Sequence, residues 1–287
     1  MSEVEPVGGP PADDRVLPAT RWVAIAIVPF LVAAAFLLFV FPGRTGELFA
    51  WPIDPPLSAY LLASAYVGGI WFFVRVATAR AWHHVAHGFP AVVVFAGALL
   101  VTTLLHLDRF SQNLSFVTWM VLYATTPFVM VALALVQRRR DPGTPDRADA
   151  VIPRPARYGL AAFGGAAFAL GAALLLAPGV LSDVWAWSLT ELTAQVTGAV
   201  LSLTGVVGAG LLWDARWSAF RVLFQAQLLS LAAIAASLVA GRDALLWERP
   251  MTTAFVGLVA AAIVVYGGFS LWCESRSRAA APRRPAP

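Results

Sequence analysis

Eight apolar runs dominate this chain, and each lies near the ~20 residues that a helix needs to cross a bilayer. They fall at Trp22 to Phe41, Leu57 to Val74, Val85 to Leu105, Leu114 to Val136, Tyr158 to Leu176, Leu192 to Trp213, Ala219 to Ala240 and Met251 to Trp272. Lipid offers backbone amides no partner, so such runs are expected to be helical. With 59% hydrophobic and 13% charged residues, and a mean hydropathy of +0.74, the balance is not that of a soluble domain. The expected fold class is an all-α integral membrane protein, with the lipid bilayer as its first partner.

All 20 basic residues are arginine, a usage that hints at a high-GC bacterium and its cytoplasmic (inner) membrane. An N-terminus on the cytoplasmic side leaves only Arg44, Arg109, Arg242 and Arg249 outside and sixteen arginines inside. The positive-inside rule selects that orientation, with both termini cytoplasmic. These arginines sit between spans, so the net charge of +4 does not point to nucleic acid. A single cysteine, Cys273, excludes an internal disulfide and a cysteine-based metal cluster.

The chain also contains two related segments. Phe41-Pro-Gly-Arg-Thr-Gly-Glu-Leu-Phe49-Ala-Trp51-Pro-Ile53-Asp54-Pro-Pro56 is echoed 136 positions later by Ala177-Pro-Gly-Val-Leu-Ser-Asp-Val-Trp185-Ala-Trp187-Ser-Leu189. Gly69 with Gly205 and Arg80 with Arg216 support the same register. Four spans per copy is an even number, so the expectation is a four-plus-four tandem parallel repeat about an axis along the membrane normal. The expected organisation is a disordered cytoplasmic tail over 1–20, a first repeat over 21–137, a solvated hinge-like linker over 138–157, a second repeat over 158–273 and a tail over 274–287. Ala161, Gly165, Ala169 and Ala173, spaced by four, predict the face on which the fifth span packs closely.

The aromatics of the repeated segment, Phe49, Trp51, Trp185 and Trp187, read first as an aromatic belt at the outer headgroups and second as the lip of a binding site. A candidate outer-face site joins Trp51 and Asp54 to His106, Asp108, Arg109 and Asn113, where an imidazole beside an acid could move a proton or meet a metal or anion. The plainer reading is helix capping and headgroup contact. A candidate cytoplasmic-face site is His83 with His87, four residues apart on one helix face. It lacks a further acidic or thiol ligand in the local sequence, so no metal or cofactor is assigned. His106 is about 28 Å further along the same span, too far to share a haem with His87.

Mid-span acids are missing, which argues against ion-coupled transport. Gln195, Gln225 and Gln227 are expected to bond between helices. Thr125 and Thr126 before Pro127 suggest a break in the fourth span that could line a cavity. No phosphate loop, nucleophile elbow, catalytic carboxylate pair or zinc-protease signature is present.

The segments Phe49 to Pro56, Trp82-His83 and Leu104-Leu-His106-Leu-Asp108-Arg109-Phe110, with Tyr60 and Tyr66 between them, resemble a group of uncharacterised multi-pass membrane proteins of high-GC and related bacteria. The resemblance covers chiefly the first half and implies the eight-span fold, with no activity, cofactor or catalytic residue attached. Three functions stay open: binding or transport of a small apolar or lipid-like molecule between the repeats, a non-catalytic role with a membrane protein partner, or a membrane enzyme or redox protein using His106 and Asp108.

Overall fold

The computed structural model describes residues 13–146 and 148–280. Eight helices in it are long and apolar enough to cross a membrane. They are α1 (Pro18–Val40), α2 (Pro56–Thr78), α3 (Gly88–Leu105), α4 (Leu114–Gln137), α5 (Arg154–Leu176), α6 (Glu191–Gly210), α7 (Trp217–Ala240) and α8 (Pro250–Ala280). Their starts follow local chemistry. Proline stands in the first turn of α1, α2 and α5 and opens α8, where its missing N–H is not needed. Asn113 caps α4 by accepting the Phe116 amide at 2.8 Å, and Thr190 forms a capping box with Thr193 on α6.

Neighbouring helices pair as α1 with α2, α3 with α4, α5 with α6 and α7 with α8. Across the middle of the chain, α2 packs on α7, α3 packs on α6, and α2 meets α6. The inner helices are therefore α2, α3, α6 and α7. Burial follows this order, with 67% of the apolar stretch enclosed in both α2 and α6 against 17% in α1.

A 136-residue spacing runs through the elements. It separates both ends of α1 from those of α5 and the start of α4 from that of α8. Ala24, Ala35 and Leu38 are the buried apolar residues of α1, and Leu160, Gly171 and Leu174 are buried at the same spacing in α5. At the end of the bundle that holds the linker, two isolated bridges stand in similar places, Arg15 with Ala81 and Val151 with Arg216, although only Arg15 and Val151 keep the 136-residue spacing.

Several expectations change here. The close face of α5 is not Ala161, Gly165, Ala169 and Ala173. Gly165, Ala169 and Ala173 are exposed, and Gly164 and Gly171 lie against α6 instead. A Cβ on Gly171 would stand 2.6 Å from the Gly198 carbonyl oxygen, and one on Gly198 would stand 2.5 Å from that of Gly171. A four-residue stripe precesses around a helix, and the neighbour selects which part of it is used. Helix α4 runs unbroken through Pro127. Thr125 Oγ1 bonds back to the Val121 carbonyl at 2.7 Å, inside its own helix.

The linker is not a free hinge. Ile152 and Ala150 are buried, and the Trp217 amide donates to the Ala150 carbonyl at 3.0 Å. Within the expected tail, residues 13–17 are fastened to the bundle, because the Trp82 amide donates to the Asp14 carbonyl and the Leu17 amide to Gln137 Oε1. Residues 1–12 lie outside the described residues, as do 281–287. At the other boundary α8 continues to Ala280, past the expected end of the second repeat. Its 31 residues span about 46 Å at 1.5 Å each, more than the hydrocarbon core requires.

Candidate functional site

The repeated aromatic segment is core. Phe49, Trp51, Ile53, Trp185 and Trp187 are all buried, Trp51 to 1% exposure. The aromatic-belt reading is thereby overturned, because a belt needs rings at the lipid headgroups. Trp51 packs edge-on to Trp119 at 4.9 Å and beside Phe49 and Phe110, while Trp185 and Trp187 both meet Phe255. Hydrogen bonds close each segment over its helices. Ser111 donates its amide to the Ala50 carbonyl, and Leu246 does the same to Ala186. Trp187 Nε1 reaches Ser58 Oγ at 3.0 Å on α2, across the halves. Trp51 Nε1 and Trp185 Nε1 are buried without a partner among the described residues.

The outer-face candidates separate in space. His106 Nε2 lies 3.0 Å from Gln195 Oε1 on α6, and Gln195 Nε2 donates to the Leu175 carbonyl. Asp108 and Arg109 pair with each other on the exposed surface, and Asp54 is exposed. Asn113 is occupied as the α4 cap and as a donor to the Glu47 and Phe49 carbonyls. What His106 builds is an α3–α6 clasp. Gln195 thus bonds between helices as expected, and so does Gln225, whose Oε1 accepts from Trp71 Nε1 at 3.2 Å.

Between the helices lie two apolar cavities of about 140 and 230 Å³. The first is lined by Ile27, Phe30 and Leu31 of α1 and Leu122, Tyr123 and Thr126 of α4, with α2, α3, α6 and α7 behind them. The second is lined by Phe163, Ala166 and Ala167 of α5 and Leu258, Val259 and Ala262 of α8. Every one of these six pairs is 136 positions apart. Ala65, Leu203, Gln227 and Ser230 line both cavities, so the two abut at the centre of the bundle. Their walls differ in bulk, Phe30 and Leu31 against Ala166 and Ala167, and in polarity. Tyr123 and Thr126 supply hydroxyls where Val259 and Ala262 supply none, and the Tyr123 and Tyr66 hydroxyls are 2.9 Å apart.

Compared with known proteins, the chain matches no family model, no curated sequence and no solved structure.

The second candidate pair, His83 and His87, also separates. Both precede α3 in an irregular turn, so they do not share a helix face. His87 stacks on Phe220 and places Nε2 2.8 Å from Asp214 Oδ2, between α6 and α7. Arg216 Nε and Nη2 grip Asp214, and Arg216 Nη1 and Nη2 donate to both oxygens of the linker's Asp141, at 2.6 and 2.7 Å. Burial would raise the Asp214 carboxyl, but the hydrogen bonds from His87 and Arg216 outweigh it and hold the group far below the usual carboxylate range. Asp141 is lowered by the same competition, burial against the Arg216 and Gly143 bonds.

His83 turns the other way. Its ring is 2% exposed, with Nδ1 against Asp14 Oδ2, and its backbone amide donates to Asp14 Oδ1 at 3.1 Å. His84 Nε2 lies 3.0 Å from Asp146 Oδ2. His83, His84 and Asp146 thus bring one ligand atom each within 4.8 Å of one another. His84 and Asp146 also line a polar pocket of about 230 Å³ with Arg75, Arg221, Glu274 and Ser277. None of the four acids Asp14, Asp141, Asp146 and Asp214 is near these histidines in sequence. The N-terminal segment, the linker and the connection between α6 and α7, brought together at this end, supply them.

Proposed function

We propose that this protein binds or transports a small lipid-like molecule within the bilayer, in the paired cavities between its halves. The observation that carries the reading is the matching position of the two outer walls, with the α4 wall of the first cavity bearing the Tyr123 and Thr126 hydroxyls that the α8 wall of the second lacks. A cavity of about 150 Å³ lined by aliphatic and aromatic groups takes a ring the size of benzene. The volumes of about 140 and 230 Å³ therefore suit a ring or a short length of acyl chain in each. Tyr66, Tyr123 and Thr126 favour a ligand with a polar atom near its apolar body, bound in the first half. The second half supplies the matching wall.

The same reading takes the chain as a four-plus-four tandem repeat with both termini cytoplasmic, set in the inner membrane of a high-GC bacterium. The 136-residue spacing of helix ends and cavity walls supports the repeat. Among the described residues, thirteen arginines on the linker side against four on the other support the orientation. The enzyme reading through His106 and Asp108 gains no comparable support, since the two do not converge.

The test is mass spectrometry of what stays with the protein purified in mild detergent and then stripped of loosely held lipid. One small apolar species retained by the unaltered chain, and lost from Ala65→Phe, is the expected result. Retention undiminished in Ala65→Phe, or nothing retained by the unaltered chain, would overturn the reading.

A further inference from the structure

The geometry points to a divalent metal site of the zinc class at the linker end of the bundle, formed by His83 Nε2, His84 Nε2 and Asp146 Oδ2. This site is separate from the intramembrane cavities and does not depend on them.

His83 carries the argument. Its Nε2 is buried and has no hydrogen-bond partner among the described residues, a condition that is ordinarily costly. Its Nδ1 faces the Asp14 carboxylate. A carboxylate only accepts, so Nδ1 carries the hydrogen and Nε2 is left with a bare lone pair. Carboxylate, imidazole and metal in that order is the arrangement by which a second residue fixes a histidine ligand.

The two distances to the carboxylate agree with one ion, and the three ligand atoms lie within 4.8 Å of one another. Bonds of about 2.0–2.1 Å in a tetrahedron place neighbouring ligand atoms about 3.3 Å apart. Asp146 Oδ2 lies 3.0 Å from His84 Nε2 and 3.7 Å from His83 Nε2. Two imidazoles with one carboxylate select a borderline ion such as zinc over calcium or magnesium, which take oxygen ligands. Three protein ligands leave a fourth position, and His84 and Asp146 both border the polar pocket of about 230 Å³. A water or a small anionic group from that pocket completes the coordination. The ion also clips the linker, through Asp146, to the turn between α2 and α3.

The experiment uses the full chain without a histidine tag, in detergent, freed of metal by chelation. It is then given zinc chloride, passed over a desalting column and measured by elemental mass spectrometry. One zinc per chain is expected. His84 is 34% and Asp146 52% exposed, so His84→Ala and Asp146→Ala should keep the fold, checked by unchanged elution, and lose the zinc. Asp14→Asn, a positioning change, should weaken zinc binding by about 10–100-fold. Asp243→Ala, a surface acid outside the cluster, should retain it. Cobalt(II) in place of zinc should show the strong visible bands of a tetrahedral ion. No zinc on the unaltered chain, equal zinc on Asp146→Ala, loss from Asp243→Ala, or the weak spectrum of six-coordinate cobalt would each overturn the site.

Discussion

His87 Nε2 lies 2.8 Å from Asp214 Oδ2, so the turn that leads into α3 is tied to the connection between α6 and α7. The contact does not act alone. Arg216 holds Asp214 and Asp141 together, and one end of the bundle is thereby stitched from the first half, the second half and the linker.

Arg216 is 6% exposed with two carboxylates on its guanidinium, so its loss leaves uncompensated buried charge. Arg216→Leu is expected to cost about 3–5 kcal/mol. Arg216→Lys should recover little, because a point charge cannot make two-pronged bonds to two carboxylates. Thermal unfolding in one detergent, with the midpoint compared across the three proteins, measures this.

The same network sets an acid limit. Asp214 and Asp141 both have folded values below the ordinary carboxylate value of about 4. A depressed group contributes stability that is present above its unfolded value and is lost as pH falls toward its folded one. The unfolding midpoint should therefore decline from about pH 4 downward. Asp214→Asn should start lower and show a shallower acid decline; an equally steep decline would remove Asp214 from the explanation.

The two faces of α5 predict opposite outcomes for one kind of change. Gly171→Ala drives a Cβ into the Gly198 carbonyl and should cost about 1–3 kcal/mol. Gly165→Ala meets nothing within 4 Å and should be neutral or stabilise by up to about 1 kcal/mol through helix propensity. Chemical unfolding of the two variants under one condition compares them directly.

Trp185 corresponds, at the 136-residue spacing, to Phe49, and its Nε1 has no partner. Trp185→Phe therefore removes an unsatisfied donor and should cost less than about 1.5 kcal/mol. Trp51→Ala empties a fully buried site among Phe49, Phe110 and Trp119 and should cost about 3–5 kcal/mol. Similar losses for the two would contradict the packing described for them.

Inside the first cavity wall, the Tyr66 and Tyr123 hydroxyls are buried and paired. Tyr66→Phe strips Tyr123 of that partner, with an expected loss of about 1–3 kcal/mol. A bound ligand with a polar atom would offset part of it, so adding back the species found by mass spectrometry should raise the midpoint of the variant.

Eight spans were legible in the chain because lipid imposes one rule on every crossing segment, a long apolar run with its backbone bonded internally. The 136-residue register was legible as well, and helix ends at Pro18, Pro56 and Pro250 follow from proline chemistry at single positions. The sites were not. His83 and His87 look like one pair along the chain, yet one turns to Asp14 and the other to Asp214. Trp51 has an interfacial composition but a core position, because Trp119 and Phe110 close over it. Local sequence determined the class and the spans of this protein, since each depends on residues near one another. Tertiary structure alone decided which acids meet which histidines, which glycines touch and where the cavities open. Those outcomes depend on contacts between residues on different helices and loops, distant along the chain, and no local pattern encodes them.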